Sequence, residues 1–316
     1  MFDVVVVGQI GRDLVLAVDH LPGGGKSVAV SRRREVLGGA VNQAVGARQL
    51  GCRVALVGVV GDDDAGRSML DQARRDGLDT TGVARRPGGT TALFVDLVEA
   101  DGTSHLLEHV PASMRLGIGD VHGAWSVLCA ARVVLVQLAQ PGPAVLKAIR
   151  IAVRHGARVV LDGTNEDPAV MRDAVAMAHV VRADAAEAAD LVGRDLRSLQ
   201  DVVTAAEEIL TMGPSIVALA VAGTGNVVAW PAGHVVVPLL GEDPVDATGG
   251  GDAFVAALVV AMLRGHDAYT GAWWASAASA LTVSRLGGRP ALDLDHVTGL
   301  ARSSRHYHER AADRES

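Results

Sequence analysis

The chain has 316 residues, 49% of them hydrophobic and 3% aromatic, with a formal net charge of -7 at pH 7. That length suits one α/β domain with a small appendage, and the apolar content excludes disorder over most of it. Net negative charge and scarce aromatic rings argue against a nucleic-acid partner, leaving a neutral or weakly charged small molecule as the better fit.

In chain order, β-branched runs at residues 4–7, 54–59, 133–136, 159–162 and 216–221 predict buried strands. Between them, helical patterns cover 41–50, 65–75, 143–154, 168–177 and 201–212, with Gly77 and Gly156 placed to end helices. Continuous apolar strands alternating with helices imply a mostly parallel sheet covered on both faces. Residues 13–36 and 91–110 interrupt this rhythm with extended runs at 14–19 and 91–98, enough for a small separate sheet or an extension of the central one. The main domain is therefore expected at 1–12, 37–90 and 111–302. The charged tail 303–316 is expected to be loose.

Cys52 and Cys129 show neither metal-ligand spacing nor a disulfide framework, which predicts a reducing cytoplasm. Met1-Phe2-Asp3 carries no basic n-region, residues 4–7 are too short for a signal core, and no apolar run reaches bilayer length. A soluble protein without a membrane partner is expected.

The segment Asp246-Ala-Thr-Gly249-Gly250-Gly251-Asp252-Ala-Phe254 is the most informative. Three glycines run straight into an apolar helix, so backbone N–H groups converge at its start and attract an anion, phosphate above all. A carboxylate beside such a cradle repels phosphate unless it serves another purpose. Taking a proton from a hydroxyl that attacks phosphorus is such a purpose.

This segment resembles the second signature of the ribokinase-like (PfkB) carbohydrate kinases, Asp-Thr-x-Gly-Ala-Gly-Asp followed by a helix. Gly38-Gly39-Ala-Val-Asn42-Gln-Ala resembles the family's first signature, with one residue fewer between glycine and asparagine. Gly61-Asp-Asp-Asp-Ala-Gly66 continues the likeness, which spans Gly8 to about Gly288. The resemblance implies a ribokinase-like three-layer α/β/α sandwich whose small β-sheet is a lid, often also a homodimer contact. It implies phosphorylation of a hydroxyl of a sugar or related polyol by ATP and Mg²⁺. Asp252 would be the general base and the Gly249 to Asp252 amides the anion hole.

For the acceptor, the resemblance points to Asp13, Gly38, Gly39 and Asn42. A buried carboxylate suits adjacent hydroxyl donors, and Asn42 can both donate and accept. Read alone, Asp13 is equally a solvated turn residue. On the nucleotide side, Asp184-Ala-Ala-Glu187 stands where the family has Asn-x-x-Glu. Glu187 would orient water around Mg²⁺, while Asp184 adds negative charge and reads equally as part of a solvated helix face. Gly223-Thr224-Gly225 keeps only the last glycine of the family's nucleotide loop, and Ser276 falls where Asn often faces adenine.

Gly287-Gly288 resembles a loop that closes over a monovalent cation, with the backbone carbonyls of Asp246 and Thr248 as partners for K⁺. Ala139 replaces an acid that contacts the sugar in ribose-specific relatives, so ribose is not the implied acceptor. The triplet Arg32-Arg33-Arg34 reads mainly as a charged strand edge. A nucleoside kinase of the same fold, and a sugar- or nucleotide-binding regulator that lost ATP use, are the alternatives.

Overall fold

The computed structural model describes residues 1–241 and 244–315. The chain opens with β1 (Phe2–Val7), then two long strands, β2 (Ile10–Val18) and β3 (Val30–Gly39), that leave its sheet. Next come α1 (Val41–Gln49), β4 (Val54–Gly61), α2 (Asp64–Arg75) and β5 (Asp79–Arg86). A second excursion contributes β6 (Ala92–Val98) and β7 (Ser104–His109). Short helices α3 (Ile118–Gly123) and α4 (Trp125–Cys129) lead into β8 (Ala131–Gln137), α5 (Gly142–Arg154), β9 (Arg158–Asp162) and α6 (Pro168–Ala176). Then follow β10 (Val180–Ala183), α7 (Ala185–Val192), α8 (Leu199–Leu210) and β11 (Ile216–Val221). The hairpin of β12 (Gly225–Trp230) and β13 (Gly233–Pro238) precedes α9 (Gly250–Leu263), α10 (Ala268–Val283) and α11 (Leu294–Glu315).

The central sheet runs β13-β12-β11-β10-β9-β8-β1-β4-β5. Its pairs are parallel from β5 to β11 and antiparallel in the terminal hairpin. Val4, Val5, Val6 and Val7 are all fully buried, because apolar helices cover both faces and leave no solvent side for alternation. One face packs on residues of α1, α9 and α10, and the other on residues of α5, α6 and α8. The result is a three-layer α/β/α sandwich with a small separate sheet.

That small sheet has the order β3-β2-β6-β7 and gathers both interruptions seen in the sequence. Strand β2 pairs antiparallel with β3 and parallel with β6. Its base is tied to the main sheet by Asp63, the N-cap of α2. One Asp63 oxygen accepts from Gly66 N–H (2.8 Å) and Thr91 Oγ1 (2.5 Å), the other from Thr91 N–H (2.8 Å). Thr91 Oγ1 in turn accepts from Gly61 N–H at 3.0 Å.

Several elements carried no usable pattern. Helix α10 buries residues on every side, Trp273 and Trp274 included, so it has no amphipathic stripe. The tail expected to be loose from residue 303 is instead the continuation of α11, with residue 316 outside the described residues. Val297 and Ala301 anchor its first turns in the core. Further along, Glu309 accepts from Arg305 Nε (2.8 Å, i,i+4) and from Tyr269 Oη (3.1 Å).

Replacing Asp63 by alanine removes both a helix cap and the tether to residue 91. Urea unfolding should show a loss of about 1–3 kcal/mol. An unchanged midpoint would mean that the two excursions are held together elsewhere.

Candidate active site

Each glycine before Asp252 is required for a different steric reason. Gly249 caps α9 in the left-handed region (φ 74°), and a Cβ there would overlap the Gly288 carbonyl oxygen. A Cβ on Gly250 would sit 2.8 Å from Val283 Cγ1, and one on Gly251 would overlap the Arg182 guanidinium. Gly250 N–H makes only a long contact to the Ala247 carbonyl (3.4 Å). Among the described residues no acceptor engages the N–H groups of Gly251 and Asp252. These amides are the unsatisfied donors that every helix start presents, on residues whose own side chains are missing at Gly250 and Gly251.

Asp252 lies at this tip, part-buried, and its Oδ2 accepts from Asn42 Nδ2 at a long 3.4 Å. Its carboxyl pKa is pushed up to about 7, first by burial and then by the charge of Asp162, with Arg182 opposing. Arg182 Nη1 donates to Asp162 Oδ1 at 3.0 Å, and Gln43 Nε2 donates to Asp162 Oδ2 at 2.6 Å. Burial pulls the Arg182 pKa down, but Asp162, Glu187 and Asp252 together hold it above the usual value. Asn42 Oδ1 and Gln43 Oε1 are buried without a partner among the described residues. Unsatisfied buried oxygens beside a carboxylate mark a place suited to a hydroxyl donor.

Asp184 and Glu187 form a reciprocal capping box at the start of α7. Glu187 N–H donates to Asp184 Oδ1 (2.8 Å), and Asp184 N–H donates to Glu187 Oε2 (2.7 Å). Asp184 therefore has a structural task that Asn performs equally well. Glu187 Oε1 faces Gly163, 3.1 Å from where a Cβ would be, and burial raises the Glu187 pKa. Gly223-Thr224-Gly225 turns between β11 and β12, away from the Asp252 cluster in the contacts it makes. Ser276 is buried in α10 and donates its hydroxyl to the Pro238 carbonyl (2.9 Å).

Between the small sheet and the carboxyl ends of β1, β8 and β9 lies a cavity of about 400 Å³. Gly39 and Glu187 line it together with Gln9, Phe94, Gln137 and Asp162. Gly39 takes φ 71° and closes against the Gln9 carbonyl, where a side chain would not fit. Asp13 stands on β2 behind Gly38, whose missing side chain leaves room for it. Asp13 is buried, and its pKa is pushed up to about 7 by burial and by the charges of Asp96 and Asp246. Asp96 accepts from Ser104 Oγ (2.9 Å) and Thr248 Oγ1 (2.6 Å). Asp246 accepts from Thr248 N–H (2.9 Å) and Gly287 N–H (2.7 Å), stitching the two loops expected to flank a cation.

With this geometry, the comparisons with known proteins are decisive. Residues 1–294 match the model for pfkB family carbohydrate kinases. The chain belongs to that family. It is 29% identical over 300 residues to the ATP-dependent ribose-1-phosphate kinase of Halopiger xanaduensis, covering 94% of this chain and 97% of that protein. It is 26% identical over 294 residues to the bifunctional ribokinase/ribose-5-phosphate isomerase A of Fructilactobacillus sanfranciscensis. That match covers 92% of this chain but spans only 54% of the relative. The structure of Arabidopsis thaliana ribokinase complexed with ribose and ATP shares the fold, with TM-score 0.78 and 22% identity over 95% of this chain and 99% of that one. The protein is thus a carbohydrate kinase with a ribokinase fold.

Several residues of this kinase's cluster carried weak signals in the sequence. Asp162 ends a predicted parallel strand, where crevices of open α/β sheets form. Gln43 directly follows Asn42. Asp96 shares the inward face of β6 with Ala92, Phe94 and Val98, so a period-two reading singles it out as a buried acid. Arg182 had no signal, because β10 is only four residues long.

The raised pKa of Asp13 has a definite sign for stability. Its unfolded value is near 3.8 and its folded value about 7, so the fold binds a proton more tightly and loses stability as pH rises through that window. Asp13→Asn should therefore raise Tm at pH 8, with the gain shrinking toward pH 4. Calorimetry at several pH values checks this, and a pH-independent difference would contradict it.

Proposed function

We propose that this kinase transfers the γ-phosphoryl group of ATP to a hydroxyl of a sugar or related polyol held beside Asp252. The observation that carries the reading is the pairing of an ionisable carboxyl with unpartnered helix-tip amides at one point. The Asp252 carboxylate accepts the hydroxyl proton as the oxygen bonds to phosphorus, and the bond from that phosphorus to the ADP oxygen breaks. The Gly251 and Asp252 amides, with the adjacent Arg182 guanidinium, match the negative charge on the transferring group. Gln9 lines the cavity, Asn42 keeps an unpartnered Oδ1 beside Asp252, and Asp13 stands behind Gly38, so each offers a carboxylate or amide oxygen suited to hydroxyl recognition.

The donor set also fits Mg²⁺, which favours oxygen ligands and retains waters. Bound with the nucleotide, the ion would neutralise phosphate charge, and Glu187 Oε1 would hold one of its waters. The Asp246–Thr248 loop and Gly287-Gly288, already stitched together, are where K⁺ would bind. The nucleotide base is assigned to the side of the Gly223–Gly225 turn and Ser276. The small sheet would act as a lid and, through exposed Leu106 and Leu107 on β7, as the contact of a homodimer. Two cysteines without a disulfide suit a cytoplasmic setting.

Asp252→Asn keeps the shape and the amides but removes the base, so kcat should fall about 10²–10⁴-fold while the fold persists. A variant that kept near-normal turnover in an ADP-release assay would remove Asp252 from the mechanism. The base form is lost as pH drops through about 7. The wild-type kcat/KM should therefore decline about tenfold per unit below that value, an acidic limb that Asp252→Asn abolishes.

A further inference from the structure

A second cavity adjoins the one proposed to hold the acceptor. Glu108, Arg115, Ala139 and Gln140 line both the 400 Å³ cavity and a second one of about 1030 Å³. The two chambers therefore adjoin along these residues, among which Ala139 is small and exposed. Small-ligand pockets run from about 300 to 1,000 Å³, so the first chamber suffices for one ring and the second adds room for more.

The passage is built rather than loose. Asn165 Nδ2 donates to the carbonyls of Leu138 (2.7 Å) and Gln140 (2.8 Å), fixing the segment that carries Ala139. From the other side, the Gln140 side chain accepts from Leu116 N–H (3.1 Å) and donates to Gln9 Oε1 (3.3 Å). The gap at Ala139 is thus part of a pinned wall.

The lining of the second chamber narrows what could fill it. Thr164 and Arg172 bring hydrogen-bonding groups to it, and Met171, Val175 and Leu191 apolar ones. That mixed lining matches a sugar ring, which presents hydroxyls at its edge and C–H groups on its face. Among the described residues no aromatic side chain lines this chamber, so a nucleobase would find no stacking partner there. Four carboxylates (Glu108, Glu166, Asp167, Asp190) face two guanidiniums (Arg115, Arg172), a formal balance of two negative charges that disfavours a phosphate.

The geometry points to a two-ring acceptor: a neutral disaccharide or glycoside whose reacting sugar occupies the first chamber and whose second sugar passes Ala139 into the other. This assignment rests on the phosphotransfer reading and specifies its substrate class. It makes the wall at Ala139 the element that determines specificity.

The test is an ADP-release screen of the full chain with ATP and Mg²⁺. The acceptors are maltose, trehalose, sucrose and lactose, set against glucose, fructose, ribose, ribose 5-phosphate and adenosine. The best disaccharide should exceed its best component monosaccharide at least tenfold in kcat/KM. Ala139→Leu, which plugs the passage without adding charge, should cut that ratio at least tenfold. A monosaccharide, a sugar phosphate or the nucleoside as best acceptor would overturn the inference, as would an unchanged ratio in Ala139→Leu. If no acceptor yields ADP, the phosphotransfer reading itself fails. Calorimetry of the same sugars then decides the two-ring assignment separately: tighter disaccharide than monosaccharide binding, lost in Ala139→Leu, supports it, and equal or weaker binding refutes it.

Discussion

A single largely buried guanidinium holds three carboxylates in a space where they would otherwise repel one another. Arg182 bonds directly to Asp162 and lies within electrostatic reach of Glu187 and Asp252. One positive charge cannot balance three negative ones. Burial first, and the residual repulsion after it, lifts the pKa values of Asp252 and Glu187. The cluster is therefore under-neutralised by its own protein. In the proposed reaction a divalent cation would offset this excess of negative charge, while the α9 amides and Arg182 would face the phosphates. The same guanidinium leans on the Cα of Gly251, placing the cation beside the free amides of α9.

That helix tip is also the point to which the small sheet is fastened. Thr248, one residue before the glycines, donates to Asp96 on β6, while Arg34 on β3 donates to the Leu286 carbonyl at 2.5 Å. Val15 and Val98 of the small sheet pack on Leu286. The loop that crowds Gly249 through Gly288 thus also carries the small sheet's anchor. Any displacement of that sheet has to change contacts made by the two loops around α9. The 400 Å³ cavity feels the same movement, because Phe94 and Glu108 line it. That cavity and the tip of α9 are joined through these side-chain contacts.

What was legible in the sequence follows from which physical constraints are local. The alternation of fully buried strands and amphipathic helices announced the parallel sheet, since two-sided burial leaves continuous Val runs. The Gly249 to Asp252 segment was legible because close backbone packing demands glycine at consecutive positions. Helix α10 was not, because a helix buried all round has no periodic stripe. The extension of α11 was missed because its stabilising pair, Arg305 with Glu309, looks like any exposed charge in a polar tail. Arg182 and Asp162 belong to the site through strand pairing between β9 and β10, and that adjacency is decided by topology. The substitution of Asp184 for Asn looked like a penalty for nucleotide binding, yet its carboxylate caps α7.

Two carboxyl groups, Asp13 and Asp252, reach similar pKa values through burial first and neighbouring acids second, but opposing partners are found at Asp252, and that difference separates their proposed tasks. Asp252 has a cation and helix amides at hand, so its ionised form is supported where charge develops during phosphoryl transfer. Asp13 feels the charges of Asp96 and Asp246, with no offsetting cation among the described residues. Its ionised state is costly until hydrogen bonds from a ligand compensate it. A hydroxyl-rich molecule supplies such donors, whereas an anion would add to the repulsion. Buried acids of this kind lower the stability of the fold at neutral pH, a cost that fits the proposed polyhydroxylated, uncharged acceptor.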